Sequence, residues 1–263
     1  MVRSLAVSLT LVVATAAFGA DGFERVLIPI WTNGLAGAFG SVWAAQLSSV
    51  NISAQSANLT LSPSLNCGFG VCPGDAGFGA YAWRLSGSEQ YPRGHFLYVT
   101  QGRADDFQFS LLAFDRTRMN ASFGSQVPVV RERQFSNRAI YIPNVPLAPG
   151  FRLGLRVYGL LNRPMPVLIR IDRYPFAPYL QWQVQLEAQP AQSADDMPSF
   201  AQVDVNAVIP PDYLINSNPN PFNEPGPPMF TIRVTPVSSE DFIWAFVTLT
   251  HNETQHFTAI GPQ

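Results

Sequence analysis

The chain contains two cysteines, Cys67 and Cys72, with four residues between them. This spacing could serve a disulfide, a redox centre or half of a zinc site. His251 and His256 repeat it and complete the formal pattern of two cysteine and two histidine ligands. The two pairs lie far apart in the sequence, however, and thioredoxin-type redox centres use two intervening residues at a helix start. We therefore expect a disulfide, the usual state of neighbouring cysteines in an exported protein.

The segment HNETQH at 251–256 offers His251, Glu253 and His256 as weak candidates for metal ligands. Glu253 has no second carboxylate close to it in the sequence that would complete a ligand shell. A polar hairpin loop with solvated histidines is therefore the favoured interpretation. We predict neither a bound metal nor a cofactor.

The sequence carries none of the motifs that mark common catalytic sites. It has no G-x-S-x-G elbow, no phosphate loop that leads into a helix and no EF-hand loop. All sixteen basic residues are arginines, which excludes Schiff-base chemistry on a lysine. Adjacent acidic residues occur at 105–106, 195–196 and 240–241, but a glycosidase needs two carboxylates that converge across a cleft. The sequence thus predicts a protein without enzymatic activity.

Aromatic residues close to the cysteines are candidates for binding: Phe78, Tyr81, Trp83 and Tyr91. On an exposed loop, such side chains could stack on a sugar or seat a protein partner. The favoured alternative is that Tyr81 and Trp83, which share a parity, pack into the core beneath the disulfide. The segment 210–229, rich in Pro and Asn, is a predicted loop and a second place where binding could occur.

Composition and the N-terminal segment indicate an exported protein with a packed core. Of the 263 residues, 47% are hydrophobic and 13% are charged. The net charge of −2 gives no sign of the excess positive charge that nucleic-acid binding requires. Arg3 precedes an apolar run at 5–17 and then small residues, a pattern typical of a secretory signal peptide. Later apolar runs are short, so we expect no transmembrane segment in a mature chain that is secreted, periplasmic or on the cell surface.

Short runs of alternating apolar and polar residues, separated by Pro, Gly and Asn, predict β-strands. In FRLGLRVYG, Leu153, Leu155 and Val157 share one face, which we expect to pack into a core. Arg152 and Arg156 share the other face, which we expect to meet water. The strands are predicted at 24–31, 41–50, 56–62, 95–100, 107–115, 127–131, 139–143, 151–159, 166–173, 179–188, 201–208, 229–236, 242–250 and 255–260.

The predicted class is all-β, because no segment of ordinary helix length has apolar residues at helical spacing. One helical turn could follow Asn206, before Pro210 and Pro211 end it. Frequent turns and short strands favour two tandem antiparallel β-sandwiches, at 21–120 and 121–263, after a signal peptide at 1–20. The alternative is one large jelly-roll sandwich.

Several segments also carry a resemblance to known proteins: FERVLIPIW at 23–31, VPVVRERQF at 127–135, FRLGLRVYG at 151–159 and the stretch 243–263. In these segments the chain resembles a group of uncharacterised secreted bacterial proteins with immunoglobulin-like β-sandwich domains. The resemblance implies that both sandwiches are immunoglobulin-like, and it brings no catalytic residue with it.

Together these features predict an exported, non-enzymatic protein with a structural, surface-interaction or adhesion role. Its expected partner is a protein or a glycan at the cell surface, and not a nucleic acid. The alternative is a β-sandwich that binds or cleaves carbohydrate.

Overall fold

The computed structural model describes residues 22–61, 74–76, 81–88, 93–120, 123–146, 150–172, 180–190, 197–209 and 229–262. The described residues form antiparallel sheets, four 3-10 turns and one short α-helix, α1 (Val205–Val208), so the all-β prediction is confirmed. Asp204 caps this helix through its carboxylate, and it is the single turn expected near Asn206. Over these ranges, no helix has the length and apolar character needed to cross a bilayer.

The first half of the chain folds into two facing sheets. Their strands are β1 (Phe23–Ile28), β2 (Asn33–Ala36), β3 (Val42–Asn51), β4 (Ala57–Thr60), β5 (Gly74–Ala76), β6 (Tyr81–Ser86), β7 (His95–Thr100), β8 (Phe107–Asp115), β9 (Ser125–Val127) and β10 (Val130–Arg131). One sheet has the order β10-β1-β7-β4-β5, and the other has the order β2-β3-β8-β9 with β6 also paired to β3. The strands at 125–131 therefore pair within this first sandwich.

The second half forms another pair of sheets. Their strands are β11 (Ile140–Pro146), β12 (Phe151–Gly159), β13 (Met165–Asp172), β14 (Leu180–Leu186), β15 (Ser199–Asp204), β16 (Met229–Pro236), β17 (Ile243–His251) and β18 (Phe257–Ile260). The sheet orders are β11-β16-β13-β14 and β15-β12-β17-β18.

The two sandwiches share one strand order. The run β1-β7-β4-β5 of the first corresponds to β11-β16-β13-β14 of the second, and β6-β3-β8-β9 corresponds to β15-β12-β17-β18. In each sandwich, three strands of one sheet follow the order B-E-D of an immunoglobulin-like fold, and three strands of the other sheet follow the order C-F-G. Each sandwich also has two strands that lie in the sequence between D and E: β5 and β6 in the first, and β14 and β15 in the second. The first sandwich also has two additional strands, β2 and β10.

The sheet β15-β12-β17-β18, here called the shared sheet, belongs to two cores. Its inward side chains, such as Leu155 and Val247, pack in the core of the second sandwich. Outward aromatic side chains, such as Tyr158 and Phe246, pack in the core of the first. This explains the unbroken apolar run IWAFV at 243–247, because a strand that is buried on both faces shows no alternation.

Predicted strand bounds match the structure best where β-branched and aromatic residues alternate. The predictions at 95–100, 107–115, 151–159 and 229–236 coincide with β7, β8, β12 and β16. Strands β2, β5 and β6 escaped prediction; NGLA and GDA, the sequences of β2 and β5, have little strand propensity. Pairing with β3 and β4 imposes their conformation.

Candidate functional site

A cavity of about 290 Å³ lies between the shared sheet and the first sandwich. Its floor is the outward face of β12 and of the strands on either side, and its roof is formed by β2, β3 and the loops that precede them. This volume is just below the usual range for small-molecule sites, about 300–1,000 Å³. Its charged and polar lining residues are Thr32, Arg152, Arg156, Gln202, Asp204, Thr248 and Thr250.

The alternation of β12 places its arginines in this cavity. Leu153 and Leu155 are buried in the second core, so Arg152 and Arg156 project from the opposite face. The expectation that this face meets water is wrong, because the first sandwich covers it and leaves both arginines half-buried. The alternation identified the polar face but could not reveal what packs over it.

Gly154 lies between the two arginines at the centre of the floor. It is paired with Asp204 on β15 and with Thr248 on β17. A Cβ atom at Gly154 would lie 2.8 Å from Thr248 Oγ1, which donates a hydrogen bond to the Gly154 carbonyl at 3.1 Å. The missing side chain keeps the floor open between arginines whose Cα atoms are about 13 Å apart along the strand.

Arg152 is only partly satisfied by the protein. Its Nη2 donates to Gln255 Oε1 at 2.7 Å, and its Cζ lies 5.1 Å from the ring centre of Phe39. Its Nη1 is buried and has no hydrogen-bond partner among the described residues. Burial lowers the pKa of Arg152 and the nearby Asp204 opposes that effect, but an arginine stays charged at neutral pH.

Arg156 has more unpaired nitrogens than Arg152. Both its Nε and its Nη1 are buried without a hydrogen-bond partner among the described residues. Its Cζ lies 5.8 Å from the ring centre of Phe200, a contact that gives it attraction but no acceptor. Buried N–H groups of a charged side chain are costly to leave unpaired, so native proteins rarely do so without a reason.

The roof combines an aromatic side chain with a strained loop. Trp43 lines the cavity and meets Phe257 edge to face, with 5.3 Å between ring centres. Gly37 makes room for this indole, because a Cβ there would lie 2.5 Å from Trp43 Nε1. Phe39, two residues along, has φ 54° and is 65% exposed, so an unfavourable backbone conformation holds an aromatic ring over Arg152.

Aromatic packing holds the floor against the first sandwich beside the cavity. Tyr158 donates a hydrogen bond to the Pro29 carbonyl, and its ring stacks on Phe246 with 6.3 Å between centres. Burial raises the pKa of Tyr158, although the charge of Arg156 and a hydrogen bond with its side chain oppose this, so the phenol remains a donor at neutral pH. The floor of the cavity is therefore fixed relative to its roof.

Several of the residues that the sequence put forward are not described by the structure. Cys67, Cys72, Phe78, Tyr91 and the segment 210–228 fall outside the described residues, so the disulfide and the binding loop stay predictions.

For Tyr81 and Trp83, the structure describes the backbone alone. They belong to β6, which pairs with β3.

His251, Glu253 and His256 do not form a metal site. They belong to the turn between β17 and β18, where His251 Nδ1 accepts hydrogen bonds from the N–H groups of Glu253 and Thr254 at 3.3 and 3.2 Å. Glu253 and His256 are exposed. Among the residues that the structure describes, no three or more His, Cys, Asp or Glu side chains are grouped to hold a metal ion.

Each described acidic pair has at least one carboxylate in an ion pair. Asp105 lies 2.8 Å from Arg131 Nε and 2.5 Å from Arg133 Nη2, and the hydrogen bond from Arg133 lowers its pKa. Asp241 binds Arg163 at 2.7 Å. Within the described lining of the cavity, the one carboxylate is Asp204. The described floor and roof therefore lack the convergent carboxylates of a glycosidase.

Searches against protein-family models, curated proteins and solved structures found no match for this chain. The site must therefore be interpreted from its own geometry. The signal that could have identified it is the pair Arg152 and Arg156, which flank Gly154 on the polar face of an otherwise apolar strand.

Proposed function

We propose that this protein is an exported, non-enzymatic binding protein, and that it holds a small anionic ligand between its two sandwiches. The observation that carries the proposal is the set of buried N–H groups on Arg152 and Arg156 that lack acceptors in the described protein. Both side chains line the cavity, so an oxyanion inside it can supply those acceptors after a small side-chain movement, because the unpaired nitrogens are covered by neighbouring atoms. Hydrogen bonds between guanidinium groups and oxyanions are among the strongest in proteins.

The charge balance of the cavity supports an anion. Its charged lining residues are Arg152, Arg156 and Asp204, so one positive charge is left over. Asp204 already accepts hydrogen bonds from the N–H groups of Asn206 and Ala207 at the start of α1. A negative ligand would thus neutralise the excess charge in a partly desolvated space.

Binding is favoured over catalysis by the chemistry of the lining. The cavity offers donors and one carboxylate, but its described residues provide neither a nucleophile with an adjacent base nor paired carboxylates. Export rests on the signal-peptide pattern of residues 1–20 and places the ligand outside the cytoplasm. An interaction role at the cell surface agrees with this location.

Thermal unfolding with a panel of small anions tests the proposal. We expect at least one of sulfate, phosphate, succinate, citrate or glucuronate to raise the Tm in a saturable way, because a ligand that binds only the folded state stabilises it. The Arg156→Met variant should lose this rise. Arg138→Ala, which removes an exposed arginine away from the cavity, should keep it. Equal rises in both variants would reveal a general salt effect and refute the proposal.

A further inference from the structure

We infer that the ligand is a hexuronic acid, either free or at the end of a glycan, with its carboxylate beside Arg156 and its ring below Trp43. This inference rests on the proposed function and names the class of anion. Its basis is the mixture of groups around the cavity, which a simple anion would not use.

The unsatisfied polar groups occur on both walls. On the floor these are Arg152 Nη1 and two nitrogens of Arg156, and on the roof it is the Thr32 hydroxyl, which is also buried without a partner. Sulfate or phosphate could satisfy one arginine, but it would leave the hydroxyl on the opposite wall unpaired. A ligand with a carboxylate at one position and hydroxyl groups at others can reach both walls.

Three polar side chains, two neutral and one acidic, flank the centre of the floor. Gln202 lies opposite Arg156 in the strand register, and Asp204 and Thr248 lie opposite Gly154. An amide, a carboxylate and a hydroxyl accept and donate hydrogen bonds in the combination that sugar hydroxyls require. An aliphatic dicarboxylate has no donor for Asp204.

The roof supplies an apolar surface of the right kind. The indole of Trp43 lines the cavity, and Phe257 and Gly37 fix its position. Aromatic residues bind the C–H face of a sugar ring while the ring edges keep their hydrogen bonds. A volume of about 290 Å³ accommodates one pyranose ring, and the exposed Ala36 marks the side from which it can enter.

Isothermal titration calorimetry on the purified protein tests this inference with glucuronate and galacturonate. The matched neutral ligands are glucose and galactose, and the matched simple anions are sulfate and succinate. We expect at least one hexuronate to bind with one site per chain, and at least ten times more tightly than its neutral hexose or either simple anion. Arg156→Met should weaken hexuronate binding by about 10- to 100-fold.

Two further variants separate the parts of the site. Thr32→Val keeps the shape of a buried side chain and should weaken hexuronate binding by about 2- to 10-fold while leaving sulfate binding unchanged. Ala36→Trp retains both arginines and should block entry, which keeps the test decisive if Arg156→Met does not fold. Arg138→Ala is the matched arginine control.

The outcomes distinguish the two levels of the proposal. If sulfate or succinate binds in an Arg156-dependent manner and at least as tightly as the hexuronates, the sugar class is wrong and the anion site stands. If glucose or galactose binds as tightly as its hexuronate, the assignment of the carboxylate to Arg156 is wrong. If no anion binds in an Arg156-dependent manner, both proposals fall.

Discussion

Arg25 and Arg156 are charged side chains at the junction of the two sandwiches, but their surroundings differ. Arg25 is 2% exposed, and its Nε and Nη2 donate to the carboxylate of Glu132 at 3.3 and 3.1 Å. Its Nη1 donates to the Leu160 carbonyl at 3.0 Å, so all of its nitrogens are paired. Arg156 is half-buried, and two of its nitrogens have no partner among the described residues.

This difference separates an arginine that joins the sandwiches from one that is available to a ligand. Arg25 lies on β1 of the first sandwich, Glu132 follows β10, and Leu160 follows β12 of the second. Its hydrogen bonds are thus complete within the protein and fix the junction. Arg156 lines a cavity in the same junction, and two of its nitrogens have no acceptor among the described residues, which is expected of a residue whose acceptor comes from outside.

The largest expected effect is the loss of stability in Arg25→Ala. Removal of the guanidinium leaves the carboxylate of Glu132 without its charged partner and with only the hydrogen bond from the N–H of residue 25, which costs about 3–5 kcal/mol of the free energy of unfolding. Urea denaturation measures this cost. The double variant Arg25→Met with Glu132→Leu should recover part of it, because no charge is left unpaired, although the N–H of residue 25 loses its acceptor on Glu132. A change below about 1 kcal/mol in Arg25→Ala would remove the distinction between the two arginines.

The fold was largely predictable because strand patterns report on the nearest neighbours of each residue. The alternation in FRLGLRVYG gave the bounds of β12 and correctly assigned Leu153 and Leu155 to a core. The site was not predictable in the same way. Nothing in β12 shows that the first sandwich covers Arg156, since that contact joins segments far apart in the sequence. The unbroken apolar run IWAFV was the one local sign that the other face of this sheet is also covered by protein.

A middle-sized effect is expected at Asp115, a buried carboxylate whose partners are complete. Its Oδ1 accepts from the N–H groups of Val42 and Thr117 at 2.9 and 3.0 Å, and its Oδ2 accepts from Arg118 at 3.0 Å. Burial acts to raise the pKa of Asp115, but these hydrogen bonds outweigh it and lower the pKa below the ordinary 3.8. Arg118 also donates to the Phe39 carbonyl, which links Asp115 to the roof of the cavity.

The lowered pKa of Asp115 in the folded state determines how its contribution to stability changes with pH. The stabilisation from Asp115 is fully present above its ordinary pKa and is lost as the pH falls through the lower folded value. Asp115→Asn should therefore be less stable than the native protein at pH 7, by about 1–3 kcal/mol. The gap should narrow between about pH 5 and about pH 2, as followed by urea denaturation. A gap that stays constant with pH would contradict the role of the charge.

The smallest expected effect on stability, in Arg156→Met, tests the comparison most directly. Methionine retains apolar volume beside Phe200 and removes the two nitrogens that have no acceptor. The loss of the cation–π contact and the removal of unpaired donors act in opposite directions, so the free energy of unfolding should change by less than about 1 kcal/mol. Urea denaturation without ligand measures this change. A loss of stability as large as that of Arg25→Ala would mean that groups of the protein already pair with the Arg156 guanidinium. The proposed anion site in the cavity would then be refuted.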